Sequence, residues 1–214
     1  MTSKLEMRAT SIWAYLFDYG LEELWRAYEG AREAPDRDRA RIDRQWEELE
    51  REVAAGRANF VEEDEDGRVV YDRGEHAGEM MAEVEGVLRV VREAFTISLH
   101  HFWERELTAK MQVIRYEESK AFAFLKSKGI NPNEAGLRTL RLAANVAKHS
   151  EGDSANQLHK LRPDLFDIEA MTRRNDPPGY EYLRITDQVL NEFFDAVQAS
   201  GPQRQPWRLR KRSN

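Results

Sequence analysis

The chain has 214 residues, of which 41% are hydrophobic and 34% are charged, and these values predict one globular domain or at most two small ones. The sequence contains no run of about 18 apolar residues and begins without an apolar signal-peptide core, so we expect a cytoplasmic protein that does not associate with membranes. Because the chain contains no cysteine, zinc–thiolate sites, iron–sulfur clusters and a cysteine nucleophile are excluded.

Charge is unevenly distributed along the chain. The net charge of −6 argues against a polycation that coats nucleic acid unselectively. Residues 61–75 carry seven acidic side chains against two arginines, whereas residues 201–214 carry five basic side chains and no acidic one. We predict an acidic loop or a small hairpin over 61–74, with disorder of this segment as an equal alternative, and a flexible basic tail over 201–214.

The N-terminal 60 residues are predicted to form helices. Seven prolines and twelve glycines are few for this length, and the long stretches between them favour helices. One apolar helical face predicts a helix over 11–32, from Ile12, Tyr15, Leu16, Tyr19, Leu24 and Tyr28. A second amphipathic helix is predicted over 36–55, from Ile42, Trp46, Leu49 and Val53.

Residues 75–200 are predicted to form the helical core. Apolar residues keep a helical period from 75 to 128, either as one unbroken helix or with a second helix beginning near Thr108. The next helix is expected to begin with Asn131 as its N-cap and to continue to about Ser150. A short helix before Pro163 and a last amphipathic helix follow. The fold class is therefore predicted to be all-α, a helical bundle with two long antiparallel central helices.

The helix after residue 133 concentrates polar chemistry on one face. At 100° per residue, a single stripe contains Arg138, Arg141, Asn145, Lys148 and His149. Arginine binds phosphate, lysine neutralises developing charge and histidine transfers protons near neutral pH, so this stripe suits a phosphodiester. The alternative is structural, because a histidine in the last turn also stabilises the end of a helix.

A second polar group follows within the sequence SLHHFWERE. His100 and Glu104 are four residues apart and His101 and Glu104 three apart, so each histidine lies one helical turn from the carboxylate. Such a pair could orient a catalytic base or bind a metal. The alternative is a pair of interfacial histidines beside a core Trp103. We expect no metal here, because this helical face supplies too few ligands.

The run from Arg141 to His149 resembles the signature helix of HEPN-domain proteins, an all-α family whose motif joins an arginine to a histidine. Many members are metal-independent ribonucleases of toxin–antitoxin, phage-defence and CRISPR systems, in which two protomers form one composite cleft. The resemblance covers about residues 75–200. It implies a HEPN-like helical bundle that forms a homodimer, acts on RNA or a nucleotide and has a cognate antitoxin or defence partner protein.

The resemblance also implies roles for individual residues. His149 would act as general base or acid on the ribose 2′-hydroxyl, Arg141 and Lys148 would stabilise charge on phosphorus, and Asn145 would orient the phosphate or His149. Supporting residues in the same groove would be His101, Glu104 and Arg138. No cofactor is expected.

The alternative function is a non-catalytic helical interaction module within a defence complex. Seven residues separate Arg141 from His149, a wider spacing than the family motif, and this spacing favours the alternative.

Overall fold

The computed structural model confirms an all-α fold. It describes the backbone of residues 4–149 and 152–202 and the side chains of residues 12–149 and 152–202. Within this part of the chain are seven α-helices and one small two-stranded sheet. None of the helices in the described ranges is long and apolar enough to cross a membrane. Most of the predicted basic tail, residues 203–214, lies outside the described residues, as do Ser150 and Glu151.

The elements follow one another in a simple order. They are α1 (Lys4–Ala54), β1 (Val61–Glu63), β2 (Val69–Asp72), α2 (Arg73–Met111), α3 (Glu118–Ser127), α4 (Glu134–His149), α5 (Asp153–Leu161), α6 (Ile168–Arg174) and α7 (Asp187–Ser200). Two single turns of 3-10 helix, Pro163–Leu165 and Tyr180–Tyr182, flank α6. The chain divides into two compact units, residues 28–91 and the remainder.

Helix α1 corrects the predicted break between 32 and 36, because the helix continues through Pro35. A proline inside a helix costs about 3 kcal/mol through its missing N–H and its ring. Two contacts within the same helix offset a small part of that cost. Arg32 Nε donates to Asp36 Oδ2 at 2.7 Å, and the Arg32 guanidinium lies over the ring of the fully buried Tyr28. Pro35 itself is buried, so the packing of this part of α1 outweighs the local signal.

In the larger unit, the first part of α1 and the last part of α2 are antiparallel. The ammonium group of Lys110 lies over the Trp13 ring, and the rings of Phe17 and Phe102 are 5.3 Å apart. Residues later in α1 therefore contact residues earlier in α2. Helix α4 packs against α5 and α7 in the same unit.

The exposed and buried sides of α1 differ from the predicted ones. At its N-terminal part, the residues of the predicted apolar face are exposed: Ile12, Tyr15, Leu16 and Tyr19. The buried side holds Trp13, Phe17 and Leu21 instead. This segment carries two apolar stripes, and periodicity alone did not distinguish which of them the rest of the unit covers.

The smaller unit contains its own core and the hairpin. Ile42, Val84 and Leu88 form a buried cluster. Strands β1 and β2 pair antiparallel, so residues 61–72 form a hairpin, which was one of the predicted alternatives. Asp64 Oδ1 accepts hydrogen bonds from the backbone N–H groups of Asp66 and Arg68, which stabilises the turn.

Two helix boundaries depend on local chemistry. Helix α2 ends at Met111, where Gln112 takes a left-handed conformation with φ 56°, so the chain breaks close to the predicted position near Thr108. The predicted N-cap Asn131 is wrong. Helix α4 begins at Glu134, and Asn133 Oδ1 accepts a hydrogen bond from the N–H of Gly136 at 3.0 Å. That bond satisfies one of the free donors of the first turn, so Asn133 is the cap.

Candidate functional site

Helix α4 presents a narrow polar stripe because the rest of its circumference is packed. Its buried side chains are Leu137, Thr139, Leu140, Leu142, Ala143, Ala144 and Val146. Successive residues of a helix are rotated by 100°, so the polar side chains that remain fall within an arc of about 100° around the helix axis. The five residues of the predicted stripe occupy this arc. We call them the α4 stripe: Arg138, Arg141, Asn145, Lys148 and His149.

Exposure varies along the α4 stripe. Arg138, Lys148 and His149 are exposed, whereas Arg141 and Asn145 are half-buried. A rise of 1.5 Å per residue separates Arg141 from His149 by about 12 Å along the helix axis. The stripe can therefore follow an extended polyanion, but these two side chains cannot hold the same phosphate oxygen.

Arg141 is directed toward helix α3. Its Nε lies 3.3 Å from Glu118 Oε2, in the first turn of α3. The two groups are paired by charge, yet the Arg141 Nε is buried without a well-aligned hydrogen bond. Glu118 thus holds the Nε end of the Arg141 guanidinium in place and offsets part of its positive charge.

The predicted histidine–carboxylate group lies on α2. His100 is only 4% exposed, whereas the exposed fraction of the His101 side chain is 56%. Their Nδ1 atoms lie 3.6 Å and 3.3 Å from the same oxygen, Glu104 Oε2. Glu104 is half-buried between them, because its direction on the helix falls between those of the two histidines.

The two predicted groups come together at His100. Burial lowers the pKa of His100 to about 3, and the positive charges of Lys148 and Arg141 add to this effect, as does His101. Lys148 and Arg141 of the α4 stripe therefore act electrostatically on His100 of α2. His100 is therefore neutral at physiological pH.

Tyr116 joins the same region from the segment between α2 and α3. The indole N–H of Trp103 donates to Tyr116 Oη at 3.1 Å. Burial raises the pKa of Tyr116 to about 12, with further contributions from the carboxylates of Glu118 and Glu104. The phenol therefore keeps its proton at neutral pH and can donate a hydrogen bond.

Two members of this region, Tyr116 and Glu118, were missed as site residues in the sequence. Tyr116 fitted the apolar helical period, and Glu118 was one of many acidic residues. No local pattern identifies them, because their proximity depends on how α2, α3 and α4 pack.

No protein-family model, curated protein or solved structure shows significant similarity to the chain. The function is therefore inferred from the residues themselves.

Proposed function

We propose that this protein is a HEPN-like, RNA-acting protein of bacterial defence or toxin–antitoxin type, which cleaves RNA without a metal when two copies pair. The observation that carries the proposal is the α4 stripe. Its Lys148 and His149 are exposed side by side at the end of a helix that is otherwise packed. A cation next to an accessible imidazole is the combination that a phosphodiester requires.

The length of the stripe suits a nucleic-acid backbone. Arg138 and His149 are separated by about 16 Å along the helix axis, at 1.5 Å per residue. Arg138 and Lys148 lie about 15 Å apart along the axis, so they would contact phosphates of one strand that are not adjacent, while the half-buried Asn145 between them would donate to a phosphate oxygen.

The proposed reaction is a transesterification. The ribose 2′-oxygen attacks the adjacent phosphorus and loses its proton to His149, while the neighbouring Lys148 stabilises the negative charge of the phosphorane. Arg141, about 12 Å away along the helix axis, would contact another phosphate of the same strand. The bond from phosphorus to the 5′-oxygen then breaks, and that oxygen takes a proton. The products are a 2′,3′-cyclic phosphate and a free 5′-hydroxyl.

The proton for the leaving oxygen needs a second acid. One stripe contains a single histidine, so we propose that a twofold-related copy supplies the other and that the functional unit is a homodimer. The cellular context, with a cytoplasmic location and a cognate antitoxin or defence partner, follows from the HEPN resemblance.

Cleavage by matched variants tests the proposal. Tag-free wild type, His149→Ala and the control His76→Ala are incubated with a mixed RNA pool in EDTA. His76 is also an exposed histidine, but it lies on α2 next to Tyr71. We expect wild type and His76→Ala to cut, and His149→Ala to lose at least about 100-fold in rate, as expected for loss of a general acid or base. Light scattering verifies that all three proteins have the same oligomeric state.

The second candidate is a non-catalytic helical interaction module, and it is supported by α1. Ile12, Leu16 and Tyr19 are 61%, 55% and 50% exposed, which is unusual for three large apolar side chains on one helical face. Clustered exposed apolar residues are typical of protein–protein contact surfaces. If wild type does not cut, and His149→Ala instead dissociates the dimer or lowers stability, the α4 stripe is structural and this second candidate replaces the first.

A further inference from the structure

We propose that His100, His101 and Glu104 form a binding site for a divalent transition metal, of which Zn²⁺ is the best match. The three residues lie within little more than one turn of α2. One ligand atom from each lies within 4.8 Å of the other two.

The distances between the ligand atoms are close to those of a zinc site. Zinc bonds of about 2.0–2.1 Å place two ligands of a tetrahedron about 3.3 Å apart. Glu104 Oε2 lies 3.6 Å from His100 Nδ1 and 3.3 Å from His101 Nδ1. The separation of 4.8 Å is the upper limit for the set, and the exposed imidazole of His101 can rotate to shorten it. The rigid, buried member of the set is His100.

The state of His100 points independently to a ligand. Its side chain is 4% exposed, and its Nδ1 is buried without a hydrogen-bond partner among the described residues. A buried polar nitrogen left in this condition costs about 1–3 kcal/mol, so such atoms are rare in folded proteins. A metal ion in front of Glu104 would bind this nitrogen directly.

The surroundings leave room for further ligands. An open groove of about 610 Å³ is lined by His101, Glu104 and Thr108, among others. Three protein ligands with the remaining position open to solvent is the arrangement of a metal that binds water or a small oxygen ligand.

The donor set selects the metal. Two imidazoles and one carboxylate suit Zn²⁺ and its transition-metal neighbours, whereas Mg²⁺ and Ca²⁺ prefer oxygen ligands alone. Two cations, Lys148 and Arg141, lie within electrostatic reach of His100 and oppose a positive ion. Glu104 within the set and Glu118, which pairs with Arg141, offset them.

Metal binding is measured directly and does not depend on RNA. Tag-free full-length protein is freed of metal with EDTA, desalted and titrated with Zn²⁺ alone by calorimetry. We expect one Zn²⁺ per chain. Loss of an outer partner of a metal ligand costs 10–100-fold in affinity, so loss of a ligand itself in His101→Ala or Glu104→Gln should cost at least about 100-fold.

Two control variants locate the site. His76→Ala removes an exposed histidine from the same helix and should bind Zn²⁺ like the wild type. His149→Ala removes the proposed nuclease residue and should also keep its Zn²⁺. Circular dichroism verifies that His101→Ala stays folded, as expected for an exposed side chain.

The results separate this proposal from the nuclease. The proposal is overturned if the wild type binds no Zn²⁺, if His101→Ala and Glu104→Gln bind it as tightly as the wild type, or if His149→Ala is the variant that loses it. Cleavage in EDTA is unaffected by each of these outcomes, so either proposal can fail alone. Co²⁺ provides a second readout, because its visible absorption is expected to appear in wild type and to be absent in His101→Ala.

Discussion

The buried, neutral state of His100 predicts a specific dependence of stability on pH. In the unfolded chain, His100 takes up a proton near its ordinary pKa of 6.5, whereas in the folded protein burial lowers that pKa to about 3. Between these pH values the unfolded state binds more protons. The free energy of unfolding therefore falls as the pH falls, by about 1.4 kcal/mol for each pH unit.

The perturbation we propose is His100→Leu, which removes the titrating group and keeps a similar volume. At pH 4.5, two units below the unfolded pKa, His100 should lower the free energy of unfolding of the wild type by about 2.5 kcal/mol relative to pH 7.5. This is a large share of the 5–15 kcal/mol that stabilises an ordinary domain. The variant should lack this loss, although both proteins share the effects of all other groups. At pH 7.5 the variant should be at least as stable as the wild type, because a buried nitrogen without a partner is replaced by an apolar group.

Urea unfolding of both proteins at pH 7.5 and pH 4.5, in EDTA to keep metals away, measures the difference. For each protein, the free energy of unfolding changes between the two pH values. The quantity to compare is this change in the wild type minus the same change in His100→Leu. A difference of about 2–3 kcal/mol supports the reasoning. If the two proteins lose stability in parallel, to within about 0.5 kcal/mol, His100 titrates at its ordinary pKa and the account of its environment is refuted.

Two further predictions concern helix α4 and are also measured by urea unfolding. A Cβ at Gly136 would lie 2.6 Å from the Cβ of Ala196 in α7, so Gly136→Ala should destabilise by about 1–3 kcal/mol. Gly78 has open space, so the matched variant Gly78→Ala should be neutral or stabilise by up to about 1 kcal/mol; equal effects would contradict the close approach of α4 and α7. Asn133→Ala removes the N-cap and should cost about 1 kcal/mol, whereas Asn131→Ala should cost little. The opposite order would show that the helix begins earlier.

Local sequence was sufficient to predict features that depend only on residues close together in the chain. The spacing of apolar side chains predicted the α4 stripe, and the structure leaves Lys148 and His149 exposed on it. The Asp66-Gly67 pair between Val61 and the apolar run at 69–71 predicted a hairpin as one alternative, since glycine readily takes the positive φ of 74° found at Gly67. Such features depend on contacts among neighbours in the chain.

Local sequence was insufficient where competing signals had similar strength. Pro35 predicted a break in α1, but the helix continues through Pro35, which is itself buried. Asn131 and Asn133 both carry a side chain able to cap a helix, and only the backbone geometry selects Asn133. The choice between them is worth about 1 kcal/mol, which tertiary contacts easily outweigh.

Composition and helical periodicity are enough to establish that this protein is helical, that it lacks cysteine chemistry and that α4 carries a polar stripe. Packing between helices, in contrast, selects the buried face of α1 and brings His100, Tyr116 and Glu118 near Arg141. The two kinds of feature differ in how far apart in the chain the contacting residues are. Helical periodicity results from contacts three and four residues apart, whereas a pKa near 3 for His100 requires burial by residues far along the chain and cations on another helix.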